Sequence, residues 1–338
     1  MATGRRAGHD RRVDVVALTA DSPAAHQDAW AALFRALVEE QLPELEPPGR
    51  AEALAQLTGD EERALAGLLA MDGDRPAGAV LARLPLIEDL DRADAALFVA
   101  EPDRRRGCGR RLFDGICQVL LDSGRRLLRG DAEAGTAGER FAAALGARET
   151  QRVVRSRLDL TAVDSAELAE LTGRRVAGYR LVCWTGRCPD DLVDAFARAR
   201  EAMNDAPLGD ATRDPRIWDA ARVRRWEEHQ ARRTYRGLVT AAVHEASGEV
   251  AGFTEIYGTG DRPRGVEQED TAVVAAHRGH GLGLLVKAVN LRRLLDVEPH
   301  TRWVVTWNAA DNRFMRAVNE RLGFVVCAEE LELELSLG

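Results

Sequence analysis

Arg278-Gly-His-Gly-Leu-Gly283 is the stretch of this 338-residue chain whose residue types suit the binding of a phosphate group. An apolar run that reads as a strand precedes it, and a run that reads as a helix follows. A helix start leaves backbone N–H groups unpaired and partly positive, and Gly279, Gly281 and Gly283 let an anion approach them because no side chain intervenes. Arg278 adds a charge-assisted contact, and His280 and Leu282 complete a turn shaped for a pyrophosphate. The Walker sequence Gly-Lys-Ser/Thr is absent and the glycine spacing is not the dinucleotide fingerprint, which argues against a nucleotide triphosphatase or a Rossmann oxidoreductase. Just upstream stand Glu267, Glu269 and Asp270. A carboxylate partly desolvated there can take a proton from an ammonium group, directly or through water; the plainer alternative is a solvated strand entrance.

The elements that must position these residues alternate between strand and helix. Arg180 to Trp184 reads as a strand, Asp190 to Met203 and Asp219 to Arg233 as helices, and Leu238 to Glu245 with Glu249 to Tyr257 as a hairpin around Ala246-Ser247-Gly248. Strand Val266 to Val274 enters the glycine turn, and a helix from Gly281 to Asp296 leaves it. Leu284, Ala288, Leu291 and Leu295 place one face of that helix on a sheet. Trp303 to Trp307 is a strand whose tryptophans share a packing face, Asn312 to Arg321 a helix, and Val325 to Leu335 a closing strand.

The same grammar occurs earlier in the chain. Aligning Arg104 with Arg278 sets Gly107 on Gly281 and Gly109 on Gly283, an offset of 174 residues (278 minus 104). Leu145-Gly146 echoes Leu322-Gly323 at 177 residues (323 minus 146). Two landmarks with nearly one spacing point to duplicated α/β units, and the length also suits two domains. The expected division is a disordered segment 1–12, a first unit 13–160, a polar linker 161–177 and a second unit 178–338.

Composition narrows the partners. A net charge of −8 disfavours a sequence-independent grip on nucleic acid, without excluding a tRNA. No apolar run is long enough to cross a bilayer, and the polar, basic start has no hydrophobic segment behind it. Cys108, Cys117, Cys183, Cys188 and Cys327 lack a pairing framework and read as buried reduced thiols, so a cytoplasmic location is expected. His277 and His280 flank the turn without two further ligands at suitable spacing, so no metal is expected.

Arg-x-x-Gly-x-Gly after a strand resembles the acyl-CoA signature of the GNAT superfamily of acyltransferases. The likeness extends through Trp307-Asn-Ala-Ala-Asp-Asn312 to Asn319-Glu-Arg-Leu-Gly-Phe324, in the order strand, pyrophosphate turn, helix, strand, helix. It implies two tandem GNAT folds, each a mixed, mostly antiparallel sheet flanked by helices. It further implies acetyl-CoA as acyl donor and the amine of a small molecule as acceptor, in a monomer or homodimer. Pantetheine would run along Val273 and Val274, one of whose amides would polarise the thioester oxygen. Glu269, then Glu267, would be the general base. Many members carry a tyrosine where this chain has Asn319, and an amide hydrogen-bonds but does not protonate a thiolate. Asn308 and Asn312 would hold pantetheine or cap the next helix. Asn204-Asp-Ala-Pro-Leu-Gly209 lies where such proteins form the acceptor site, and also reads as a plain loop.

The first unit keeps Arg104, Gly107 and Gly109, but has Ala142 at the tyrosine position, Ala147 for the phenylalanine, and Pro102 removing a donor before the turn. It reads as a degenerate partner. Two rival functions remain open: a GNAT-like transferase taking an aminoacyl group from tRNA, and a non-catalytic acyl-CoA-binding or interaction module.

Overall fold

The computed structural model describes residues 13–259 and 264–338; segment 1–12, expected to be disordered, lies outside them. The first half runs β1 (Asp14–Ala17), α1 (Ala24–Gln41), α2 (Arg50–Ala55), β2 (Arg63–Asp72), β3 (Arg75–Pro85), β4 (Arg92–Val99), α3 (Cys108–Asp122), β5 (Leu127–Glu133), α4 (Ala137–Leu145) and β6 (Arg148–Asp159). The second begins with an added helix, α5 (Ser165–Gly173), and then repeats that order: β7 (Tyr179–Thr185), α6 (Val193–Arg200), α7 (Ala220–Arg232), β8 (Tyr235–His244), β9 (Val250–Thr259), β10 (Gly265–Val273), α8 (Leu282–Val297), β11 (Trp303–Ala309), α9 (Arg313–Arg321) and β12 (Val325–Ser336).

All these strands join one sheet in the order β1-β2-β3-β4-β5-β12-β6-β11-β10-β9-β8-β7. The halves exchange their last strands. β6 pairs on both sides with strands of the second half, and β12 sits between β5 and β6. Two parallel pairs, β4 with β5 and β10 with β11, break an otherwise antiparallel ladder. Each half therefore closes its sheet with a strand drawn from the other.

Helices cover the sheet by burying apolar stripes. Cys108, Leu112, Ile116 and Leu120 recur every fourth residue along α3 and are all buried. On α8 the buried set is wider than the expected single face: Leu282, Leu285, Val286, Ala288, Leu291 and Leu294 are buried, while Leu284 and Leu295 are only half-buried. The reason lies in residues 161–177, read as a linker. They contain α5, started by the Asp164 carboxylate accepting from the amides of Ala166 and Glu167, and its Leu168 and Leu171 pack on the outer side of α8. Among the cysteines Cys108 and Cys188 are buried as expected, but Cys183, on the edge strand β7, is exposed.

Loops cross between the halves as the strands do. The α1–α2 loop places Leu45 against Val305 and Val38, and Glu46 accepts from the Arg264 amide. In return, Gly209 packs against the Thr150 carbonyl, and the Gln151 amide group donates to the Pro207 carbonyl. Arg222 of α7 forms the tightest link. Its guanidinium is 7% exposed and forks onto both oxygens of Glu62 (3.0 and 3.0 Å) and of Glu88 (2.5 and 2.9 Å), two carboxylates of the first half. The Arg222 hydrogen bonds hold the Glu88 carboxyl below its ordinary range.

Removing one partner of such a buried pair strands the others. Arg222→Ala should therefore lower the unfolding free energy by about 3 kcal/mol. Urea denaturation at neutral pH would read this as a lowered midpoint with unchanged slope. Arg222→Lys should recover little, because one ammonium cannot span two carboxylate forks. A loss below about 1 kcal/mol would show these contacts behaving as exposed bridges.

Candidate functional site

β10 and β11 are paired only from Gly265↔Trp303 to Glu267↔Val305, after which β10 continues to Val273 with no strand partner on that side among the described residues. The strands splay, and Thr306 Oγ1 donating to the Gln268 carbonyl (3.1 Å) marks the point of parting. On its other side β10 pairs with β9 through a bulge: Gln268 faces Ile256 and Thr271 faces Thr254, so Glu269 and Asp270 together oppose Glu255. The Val274 amide donates to the Ala251 carbonyl at 2.9 Å, so it is committed to the ladder and cannot polarise a thioester as expected. By the alternation of an antiparallel ladder, the Val273 amide faces the splay.

The glycine turn follows directly. Gly279 (φ +86°) and Gly281 (φ +75°) hold left-handed backbone that a side chain would strain, and a Cβ built on either meets nothing within 4 Å. Gly281 is the N-cap of α8 and no side chain caps that helix, which leaves its first amides available to an anion. Leu282 turns its side chain into the core, and a Cβ on Gly283 would touch only Val273 Cγ2, at 3.6 Å. Arg278 departs from expectation. Its Nε donates to the Val273 carbonyl (3.1 Å) and its Nη2 to Asp205 (2.7 Å), so it staples the turn to the strand end instead of standing free for a phosphate.

Beneath the bulge lies an acidic group built around Arg200. This guanidinium is buried, donates to Glu255 (2.7 Å) and Asp270 (3.3 Å), and stacks under Trp218 with its Cζ 4.2 Å from the ring centroid. Burial, only partly offset by Arg200, pushes the Glu255 carboxyl up to about 7. Glu269 rises to about 8, first from the poorly hydrated recess around it, then from the like charges of Glu267, Asp270 and Glu255. Glu269 is itself exposed, so the repulsion is the firmer of these causes. Tyr257 and Trp226 close the group, the indole donating to the phenol oxygen at 3.2 Å. Sequence reasoning found Glu269, Glu267 and Asp270 from their place before the turn. It missed Glu255 and Arg200, whose only signal is a charge inside an apolar strand or helix face.

Three asparagines were expected near pantetheine. Asn319 is 2% exposed; its Nδ2 donates to Asn308 Oδ1 (2.6 Å), and its own Oδ1 has no partner among the described residues. An orphan buried acceptor beside the splay suits the amide or thiol of a pantetheine arm. Asn312 is not so placed: its Oδ1 caps α9 by accepting from the Met315 amide at 3.1 Å. Nearby, Lys287 of α8 is buried 5.5 Å from the Phe324 ring centroid, and desolvation alone pushes it down to about 7. Trp307 donates to Glu330 (3.0 Å), and Trp303 packs under Arg157 and Arg302.

The first half reproduces the turn but not its surroundings. Arg104 Nε donates to the Val99 carbonyl (2.9 Å), and its Nη2 grips Glu40 as Arg278 grips Asp205. Gly107 (φ +81°) starts α3 uncapped, and Arg105 takes the left-handed conformation of Gly279 at φ +63°. The β4–β5 pair also splays, after Asp94↔Arg129. β4, however, pairs with β3 without a bulge, and Ala93-Asp94-Ala95-Ala96 stands where the second half has its carboxylates.

His277 is 8% exposed, and its Nδ1 lies 2.9 Å from the Tyr179 hydroxyl oxygen. His280 lies against the same tyrosine, with ring centroids 5.6 Å apart. The fold also brings His244 and Glu249 to His277, although 28 residues separate Glu249 from it in the chain (277 minus 249).

No protein-family profile matches this sequence, and no curated protein matches it. Solved structures do. A tandem GNAT protein from the clavulanic acid biosynthesis pathway, in its form without acetyl-CoA, matches at 29% identity and a TM-score of 0.82, over 97% of this chain and 99% of its own. A GCN5-related N-acetyltransferase from Sphaerobacter thermophilus matches at 15% identity and 0.66, over 96% of both chains. A putative acetyltransferase from Pyrococcus horikoshii matches at 15% identity and 0.56, over 96% of this chain and 89% of its own. Twice-repeated splayed strands leading into glycine turns, in a chain that superposes end to end on a tandem relative, identify this protein as a tandem-domain member of the GNAT fold superfamily.

Proposed function

We infer that the second half is an acyl-CoA-dependent N-acyltransferase, transferring an acyl group, most simply acetyl, to the amine of a small molecule. The observation that carries this reading is the uncapped, unobstructed start of α8 at the end of a strand that is both splayed and bulged. Amides of Gly279 to Gly283 would hold the pyrophosphate, and Asn319 Oδ1 the pantetheine arm. When bound, the donor supplies the thioester carbon that a neutral amine attacks; as the C–N bond forms the C–S bond would break, and the departing CoA thiolate would take its proton from water, since Asn319 has none to give. The Val273 amide would donate to the thioester oxygen, where charge develops. Glu269 would take the ammonium proton, its raised carboxyl being matched to that task. Glu255 and Asp270 would keep the recess attractive to a cationic acceptor while Arg200 balances their charge, and Trp218, Trp226 and Tyr257 would give it an apolar wall. The first half, lacking the bulge and counterparts of Glu267, Glu269 and Asp270, would serve as a structural partner. This reading suits a cytoplasmic monomer or homodimer and routes no step through a metal or a nucleic acid.

Calorimetric titration of acetyl-CoA tests the donor site. Wild type and Gly107→Asp should bind alike, whereas Gly281→Asp, which sets a carboxylate against the diphosphate, should weaken binding at least 100-fold, or about 2.7 kcal/mol. Binding undetectable in wild type would move the aminoacyl-tRNA or non-catalytic reading to first place.

The pH dependence tests the base. Glu269 must be ionised to accept a proton, so kcat/KM should rise with pH and level off above about 8. Glu269→Gln should remove that limb and slow turnover by roughly 100-fold or more. An unaltered pH profile in this variant would transfer the role to Glu255 or Glu267.

A further inference from the structure

We propose that His244, Glu249 and His277 form a divalent transition-metal site, best suited to Zn2+, which clamps the β8–β9 hairpin to the segment entering the glycine turn. Among the described residues these are the one set of three metal-ligating side chains that converge, with one donor atom from each lying within 4.8 Å of the others. His244 ends β8 and Glu249 immediately precedes β9. His277 lies in the helical turn Ala275–His277 just before Arg278. His277 Nε2 is 3.6 Å from a Glu249 carboxylate oxygen. Donors about 2.0–2.1 Å from a tetrahedral Zn2+ stand about 3.3 Å apart, so this pair is already close to the required separation. Only a small inward turn of His244 and the exposed Glu249 is needed.

The hydrogen bonds around the cluster orient its rings. Ser247 Oγ donates to Glu249 (2.9 Å), so the same oxygen accepts from His244 Nδ1 (2.9 Å). The Tyr179 hydroxyl oxygen lies 2.9 Å from His277 Nδ1, which places that nitrogen on the outer side of the cluster and leaves Nε2 facing Glu249. His277 turns its Nε2 toward the Glu249 carboxylate, and a metal ion can take the place of a proton shared between them. The carboxylate supplies negative charge between the two rings, where a divalent cation would be held by all three side chains. Tyr179 and Ser247 occupy the outer positions that usually orient metal-bound imidazoles. Two nitrogens and one carboxylate oxygen match Zn2+, with water as the fourth ligand on the open side of Glu249. The sequence hides the site because its ligands come from a hairpin and a distant turn that only the fold brings together. It stands independently of what the turn binds.

The test uses the full chain without a histidine tag, stripped with a chelator and titrated with Zn2+ by calorimetry and with Co2+ by visible absorption. One equivalent should bind with a dissociation constant in the micromolar range or tighter, and Co2+ should give the intense bands of a tetrahedral site. Glu249→Gln and His277→Ala should each weaken binding at least 100-fold, and Tyr179→Phe about tenfold. His229→Ala, whose ring pairs with Asp60, should change nothing. Should His277→Ala not fold, His244→Ala tests the same donor set. Failure to bind one equivalent, unchanged affinity in His244→Ala/His277→Ala, or a weak octahedral Co2+ spectrum would overturn the proposal. So would a protonated His277 paired with Glu249 that excludes the metal at neutral pH.

Discussion

The antiparallel pairing of β6 with β12 is the interaction on which the rest of this structure depends. These are the last strands of the two halves, and each crosses to complete the other's sheet. Without β12, β5 would present an open edge of unpaired amides and carbonyls; without β6, β11 would do the same. An exposed edge of that kind invites aggregation, so each half protects the other. The crossing loops extend the same dependence. Leu45 of the first half packs on Val305 beneath the second half's splay, and Arg63 lies over Trp226, which walls the acidic recess.

The splay follows from this arrangement. β11 is held along its whole length by β6, from Trp303↔Asp159 to Ala309↔Val153, while β10 is held along its length by β9. The parallel β10–β11 pair ends after three residue pairs, and beyond that point each strand follows its own support. A wedge with backbone amides on its wall results, and the helix leaving its apex presents further amides. Strand, bulge, wedge and turn thus form one feature, in which a local loss of ladder partners creates the capacity to bind a polar ligand.

Much of this was legible in the sequence because it rests on local rules. Glycines between an apolar strand and an amphipathic helix mark a turn, and the Asp219 cap before α7 and the Asn312 cap before α9 sit at the helix starts read from sequence. The duplication was legible because both turns keep their arginine and glycines. The exchange of β6 and β12 was not, since the order of strands in a sheet leaves no mark on periodicity. α5 was missed because its short apolar stripe, Leu168 and Leu171, lies within polar residues that resemble a linker. Arg278 was misread for a related reason: its partner Asp205 is 73 residues away in sequence, and only the fold shows the guanidinium already engaged.

The two halves also show which features of a duplicated fold must be retained and which are free to diverge. Both turns keep the arginine bonded to the strand-end carbonyl and to a carboxylate, Glu40 or Asp205, because that staple holds strand to helix whether or not an anion binds. The bulge and its carboxylates occur only in β10. Buried charge is costly unless paired, and the second half bears that cost with Arg200 held between Glu255 and Asp270. In β4 the corresponding residues are mostly alanine and the ladder is unbroken, the cheaper arrangement for a strand that only supports. A first half without the acids of the bulge still cannot be lost, because the second half's sheet ends at β11 without its last strand. Selection for the shared sheet is therefore sufficient to keep both copies, even if a single copy performs the chemistry.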